Sequence, residues 1–514
     1  MKVRILNEMK LKLTVIFFMF SVAASAGSMP RIFTIDATPD PDGRIRSNSI
    51  IDIAADSASI WMGTGRGISQ LYLDGSGWAS IPSGDQIGRG GVSALNVSDT
   101  VIWAATAYTE NTNGSFFPAG GGVGYSRDSG ESWVWFPQPV DSRDVTDYSP
   151  TTTNIQNVTY DIAVSDSATW ITSWGGGLRR LKHGETTWEV FTPDGKSFSA
   201  LANLSHRSFA TVYANGILWV GTAAGIYFTV DEGANWDHVA SSEDNPELSG
   251  NFVVAMAAQE LEGRTNVWAA TWKAENHSES YGLAVTTDNG QSWWIALSDS
   301  TVLEDGTLLI DEYGPLRIHN IGFMGNTVYA AADGGLWISQ DNGLNWGTGP
   351  LESIYDPSIG EELTNIDFFS AASVGDSIFI GTDEGMAVGF FDVEDSTYTW
   401  RIHRAHQPAG IDSQPDTYAY PSPFSPGRDQ IARFQLYLEQ ASNVELEIFS
   451  FAMEHVYESG SISVPGGGVG DMSGYSALKW NGRDDDGALV ANGVYFYKIT
   501  TDNNSYWGKV MVLD

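Results

Sequence analysis

Four carboxylates stand at one repeated spacing in this chain. A recurring carboxylate can move protons, hold a metal ion or fix a turn. They are Asp128 in SRDSGESW, Asp231 in TVDEGANW, Asp288 in TTDNGQSW and Asp341 in SQDNGLNW, all of the form S/T-x-D-x-G-x-x-W. The pattern suits the turn. An Asp two residues before Gly can accept backbone N–H bonds inside a hairpin, the Gly takes a positive φ, and the Trp packs underneath. These four are expected to be structural caps, not catalytic acids or metal ligands.

A second set of residues could bind. Arg66, Asp333, Asp383 and Glu384 lie in short loops that follow a Trp-rich strand motif, and Trp174 closes another copy of it. Tyr108, Phe116 and Phe117 belong to a long insertion, residues 107–119, and Trp272, His277 and Tyr281 belong to or flank a second one, residues 273–281. Aromatic platforms among carboxylates suit a sugar ring or an extended peptide. The plainer alternative is that Trp174 and Trp272 cap strand ends while Phe116 and Phe117 fold into their own loop; residue types leave both open.

Catalytic constellations are missing. There is no Gly-x-Ser-x-Gly elbow, phosphate-binding loop, dinucleotide fingerprint or His-Glu-x-x-His, and the eight His show no ligand spacing. The absence of Cys excludes disulfides, thiolate metal sites and cysteine nucleophiles. No catalytic residue, metal or cofactor is assigned. Asp484 to Asp486, and Asp36, Asp40 and Asp42, could be read as calcium loops. Three adjacent carboxylates cannot all face one ion, so a solvated turn is the better reading of the first group.

The elements that must position these residues repeat. WMGTGRGI from Trp61, WAAT from Trp103, WITSWGGGL from Trp170 and WVGTAAGI from Trp219 are followed by WAATW from Trp268, YAAADGGL from Tyr329 and FIGTDEGM from Phe379. Seven copies about 50 residues apart match four short strands per unit, which is one propeller blade. In blade 4 the strands are expected at Phe209–Ala214, Ile217–Thr222, Gly225–Thr229 and Asn235–Val239. No helical period interrupts the alternation between residues 47 and 404. The fold class is therefore all-β, a seven-bladed β-propeller. Strand order then puts the S/T-x-D-x-G turns on one face and the loops after the second and fourth strands on the other, here the top. The long insertions, including the connections 137–154, 298–313 and 350–363, all extend that top face, where a rigid scaffold usually carries binding residues.

Of 514 residues, 56 are Gly and 12% are aromatic, with a formal net charge of −36. Such a chain has enough to bury and enough turns for β structure, and it repels nucleic acid. Residues 1–26 read as a signal peptide, with Lys2, Arg4, Lys10 and Lys12, the apolar run 13–20 and Ala24-Ser25-Ala26. No later stretch is long enough to span a membrane. The propeller is placed at 27–404, a polar linker at 405–419 and a small β-sandwich at 420–514.

The S/T-x-D-x-G-x-x-W copies resemble the Asp-box of sialidase-like and sortilin-like propellers, and the W-x-G-T-x-x-G-I element of blades 1 and 4 resembles the sensor propellers of two-component regulators. YPSPFSP (420–426), WNGRDDDG (480–487), NGVYFYK (492–498) and KVMVL (509–513), in that order, resemble the FlgD immunoglobulin-like domain and the C-terminal sorting domain of type IX secretion cargo, although the chain ends in Asp514. These resemblances imply export, to the cell surface or beyond, with the periplasm as the other compartment. They also imply an export machinery reading the C-terminal module, and a glycan, peptide or protein partner for the propeller. The rival class is a secreted glycan-active hydrolase, but the Arg-Ile-Pro element of sialidases is missing: Pro30-Arg31-Ile32 has another order.

Overall fold

The computed structural model describes residues 45–513 except for internal stretches, the longest being 406–416 and 465–477. Residues 1–26, expected as a signal peptide, together with Asp36, Asp40, Asp42, His277 and most of the expected linker, lie outside the described residues. Among the described residues there is no α-helix, only two short 3-10 turns, and strands fill most of the chain.

Consecutive strands pair antiparallel into separate sheets, and seven of these form the blades. Their innermost strands are Ile50–Ala55, Gly91–Ser98, Thr159–Val164, Ser208–Ala214, Phe252–Leu261, Ile318–Met324 and Phe368–Val374. Each packs against the next, and the seventh packs against the first, so the ring closes. Six blades have four strands; in blade 6 three are described, and Leu351 bridges Leu336 in the fourth place. Blade 4 has its strands at Ser208–Ala214, Ile217–Thr222, Gly225–Thr229 and Asp237–Val239, within two residues of expectation. Two long top-face connections, expected as loops, instead contain hairpins: Ser300–Val302 with Leu308–Ile310, and Ser353–Asp356 with Glu361–Thr364.

The second strand of each blade explains the repeat. It lies between two neighbouring blades, so both its faces are covered; Ser59–Thr64, Ala168–Ser173 and Ile217–Thr222 are buried at every residue. A strand covered on both faces reads as a run of apolar and small residues without alternation. The Gly-Thr-x-x-Gly that follows is a clasp. Thr64, Thr222 and Thr382 donate their hydroxyls to the carbonyls of Gly67, Gly225 and Gly385 at 2.8–2.9 Å. At Gly67, with φ 125°, a Cβ would sit 2.3 Å from the carbonyl of Ile81 on the blade's fourth strand.

The four S/T-x-D-x-G turns share one geometry. In blade 4, Asp231 Oδ1 accepts the Thr229 hydroxyl (2.8 Å) and Asn235 N (2.8 Å), while Thr229 Oγ1 accepts Gly233 N (3.1 Å). Glu232 and Gly233 both have positive φ, 57° and 86°. These bonds hold the carboxyls of Asp128 and Asp231 down at about 2; at Asp288 and Asp341 the shift has the same direction. The turn also reaches out of its own blade. A Cβ on Gly130, Gly233, Gly290 or Gly343 would meet Trp61, Trp170, Trp219 or Trp268, the motif Trp of the preceding blade. The motif is thus a contact between blades as well as a cap.

Among the described residues no strand is shared across the ring's seam. Blade 1 is built entirely from residues 50–82 and blade 7 from 368–403. They join by side chains: Ile50, Met62 and Ile60 pack with Phe379, Met386 and Val388, and Trp78 lies against His403. Ala405 N donates to Asn48 Oδ1.

Beyond residue 416 two sheets face each other as a β-sandwich. One comprises Thr417–Tyr420, Ala432–Leu436 and Leu478–Trp480; the other centres on Ser442–Phe449, Gly493–Thr501 and Ser505–Val512. Phe424, Phe434, Trp480 and Tyr497 fill the space between them. At the Asp484 turn, Asp484 Oδ1 accepts the N–H groups of Asp486 and Ala488, whereas Asp485 accepts Glu458 N. The adjacent carboxyls therefore serve different partners.

Candidate functional site

Every innermost strand carries a β-bulge at the same place, next to the top face. A bulge inserts one unpaired residue and re-aims it. The seven residues so displaced are Ile51, Ser93 and Tyr160 in blades 1–3, Phe209 and Val254 in blades 4 and 5, and His319 and Phe369 in blades 6 and 7. All seven line a cavity of about 430 Å³ along the ring axis. It is a collar of mostly aromatic and aliphatic side chains.

The residue after each bulge forms the next layer: Asp52, Ala94, Asp161, Ala210, Ala255, Asn320 and Ser370. Three of them tie their blade to the next. Asp52 Oδ2 accepts Leu95 N (2.8 Å), Asp161 Oδ2 accepts Thr211 N (2.8 Å) and Asn320 Oδ1 accepts Ala371 N (3.4 Å). Asp52 and Asp161 also line the cavity. Enclosure by protein raises Asp52 to about 6 against the pull of the Leu95 and Ile53 N–H groups. Asp161 goes to about 8, raised by burial most and by the charge of Asp52, against the Thr211 and Ile162 N–H groups. Both keep some surface in contact with the cavity, so water there moderates the effect. Sequence reading passed over these two. Their signal is positional: each stands nine residues before the motif Trp, in DIAADSASIW and DIAVSDSATW.

Of the residues expected to bind, Trp174, Trp272 and Tyr281 do come together, but by packing. Trp272 is only 3% exposed. It lies edge-on to Phe252 and its indole N–H donates to Ile318 O at 3.0 Å. This corrects the expectation that Trp272 is an open platform: its place at the end of a second strand puts it between blades 5 and 6, packed beside the collar. Trp272→Ala should cost about 3–5 kcal/mol, the range for truncating a core aromatic, read as a lower midpoint in urea unfolding. Trp174 is half-buried in the same cluster, with the Arg207 guanidinium 5.4 Å from its ring.

Tyr281 meets Arg317, whose guanidinium lies 5.8 Å from its ring and 3.5 Å from Asp333. Asp333 also binds His319 Nε2 at 2.5 Å. Burial alone would raise Asp333, but His319 and Arg317 hold it below the ordinary carboxylate range. Asp383 keeps an exposed surface, yet the surrounding protein and then Glu384 and Asp367 push it up to about 7. Glu384 leaves the mouth, pairing with Arg404 at 3.4 Å and with Arg433 of the sandwich at 3.2 Å. Arg66 is half-buried on blade 1, its carbonyl accepting from Arg46.

The blade 2 insertion is a hairpin, not a loop. Its second and third strands run on as Val101–Thr112 and Ser115–Ser126, turning at Asn113-Gly114 with positive φ at both. Phe116 at its end is 69% exposed, Phe117 is half-buried, and the Arg89 guanidinium covers Tyr108 at 4.0 Å. Arg89 also lies 3.7 Å from Glu110.

Fold and site together define a seven-bladed β-propeller with two carboxyls lining the cavity on its axis and a long hairpin extending from blade 2. No family model matches the sequence, and no curated protein matches it. Among solved structures the chain is similar to PorZ, an essential bacterial surface component of the type IX secretion system of Porphyromonas gingivalis, with 17% identity over 91% of this chain and 66% of that one, and a TM-score of 0.34. It is also similar to a GH74 enzyme of Niastella koreensis (12% identity, 91% and 73% covered, TM-score 0.47) and to YCF48 of Cyanidioschyzon merolae (12%, 68% and 97%, TM-score 0.41).

Proposed function

We propose that this protein is an exported binding propeller that takes an extracellular glycan, peptide or protein partner at its channel mouth, and that the C-terminal sandwich serves sorting or surface attachment. The carrying observation is the blade 2 hairpin. It outruns its blade, is braced by Arg89 against Tyr108, and carries Phe116 at its end in solvent. The motif order from YPSPFSP to KVMVL supports the sorting role. The test is Phe116→Ser in the full chain on a glycan and peptide array. An exposed tip residue should leave the melting temperature unchanged, and its loss should weaken the parent's hits at least tenfold. Undiminished hits would remove the hairpin from the interface.

One observation favours the hydrolase reading instead: two carboxyls with raised pKa share one cavity, as general acids require. Against it, both oxygens of Asp161 already accept backbone N–H groups, from Ile162 and Thr211. Release of an aryl aglycone by the parent, lost in Asp161→Asn, would replace the binding reading.

A further inference from the structure

We propose that the channel receives a protonated amine or guanidinium group, with Asp52 and Asp161 as its counter-ions and His319 Nδ1 as a further acceptor. This deepens the binding reading and rests on it, since it names the chemistry of what enters the mouth.

Three independent features converge. First, two carboxyls line the cavity, and no Lys or Arg does among the described residues. A desolvated carboxyl without a basic partner is destabilised, and a cation supplied from outside satisfies it. Second, the His319 side chain is 2% exposed and lines the same cavity, yet its Nδ1 makes no hydrogen bond. Its Nε2 faces Asp333, which places the proton of the neutral ring on Nε2 and leaves Nδ1 with an acceptor lone pair. A buried unpaired acceptor calls for a donor on the ligand. Third, the collar above offers the rings of Tyr160, Phe209 and Phe369, and an aromatic face attracts a cation.

Size argues against a bare metal ion. The space of about 430 Å³ exceeds what one ion and a few waters at about 30 Å³ each would fill. No group of three or more His, Asp or Glu suited to a metal occurs among the described residues. A guanidinium on an aliphatic stem fits the volume, and the net charge of −36 draws cations toward the protein.

The full chain would be titrated calorimetrically with Nα-acetyl-L-argininamide (argininamide below), with Nα-acetyl-L-citrullinamide (citrullinamide below) as the uncharged control, and with a capped Gly-Gly-Arg-Gly-Gly peptide. The titratable groups lining the cavity are Asp52, Asp161, Tyr160, Tyr213 and His319, with Asp333 behind His319. Both carboxyls ionise as pH rises, Asp52 at about 6 and Asp161 at about 8, so binding should be at least tenfold tighter at pH 8 than at pH 5. Asp52→Asn combined with Asp161→Asn should weaken argininamide at least tenfold; Phe116→Ser should not change it. Peptide binding as tight as argininamide would assign the cation to a partner's side chain, whereas argininamide alone would assign it to a small ligand. Equal binding of citrullinamide, or argininamide binding indifferent to the double substitution, overturns the proposal. If array hits depend on Phe116 while argininamide does not bind, this inference falls and the binding reading stands.

Discussion

Asp161→Asn should unfold at a higher temperature than the parent at pH 8 and at nearly the same temperature close to pH 4. In the folded chain the Asp161 carboxyl titrates at about 8, against 3.8 when unperturbed. Below the unfolded value both states are protonated and nothing is lost. As pH rises above it, the unfolded chain ionises while the folded chain resists, so stability falls until the folded group also ionises. The parent should therefore gain stability on acidification from pH 8 toward pH 5, with Asp52, at about 6, adding in the same direction. The S/T-x-D-x-G carboxyls act oppositely, and only lower: their depressed values withdraw stability as pH falls below about 4. At about 1.4 kcal/mol per pKa unit, moderated by cavity water and by the lost bond to Ile162 N, the substitution should gain about 2–4 kcal/mol at pH 8. The amide is compatible with the site, because Asn320 in blade 6 makes the same bond to Ala371 N. Thermal unfolding of both proteins across pH 4–9 checks this; parallel profiles would show that Asp161 ionises normally.

Gly290→Ala should destabilise the ring by about 2–4 kcal/mol, while Gly216→Ala should cost about 1. Both glycines have positive φ, 86° and 76°, so the left-handed strain, about 1 kcal/mol, is common to both. They differ in what a methyl group would meet. At Gly216 there is nothing within 4 Å; at Gly290 the ring of Trp219, in the preceding blade, stands at 2.7 Å. Trp219 is 1% exposed and wedged against Phe228 and Trp293. It cannot retreat without moving the blade, and overpacking of that kind costs about 1–3 kcal/mol. Urea unfolding of the two variants separates the terms. Equal losses would mean that the turn acts within its own blade only.

That contact marks the limit of what the sequence could show. Turn chemistry is local: Asp, Gly and Trp at fixed offsets dictate a hairpin cap wherever they occur, so the turns and the blade count were legible from spacing alone. Which neighbour the turn leans on is set by ring geometry and leaves no trace in the local pattern. The same divide runs through the site. Trp272 reads as a loop aromatic because it ends its motif beside an insertion, yet its position on a strand covered from both sides decides its burial. Asp52 and Asp161 lie in no motif that local spacing picks out. Only the bulges, which re-aim one residue per blade, bring blades 1 and 3 to a common cavity. The hairpin of blade 2 joins the second and third strands, as the repeat leads one to expect, but its continued pairing depends on the Asn113-Gly114 turn, which the insertion's length obscures.

The seam between blades 7 and 1 has a consequence for how the chain could be rearranged. Because each blade is a run of adjacent strands, no strand pairing among the described residues ties the first blade to the last. A cut at any connection between blades, with a short peptide joining residue 405 to residue 45, would still leave seven whole blades. The starting blade is thus an accident of gene order, and circularly permuted chains provide a route to moving the sandwich, or any fused cargo, to whichever side of the ring is wanted.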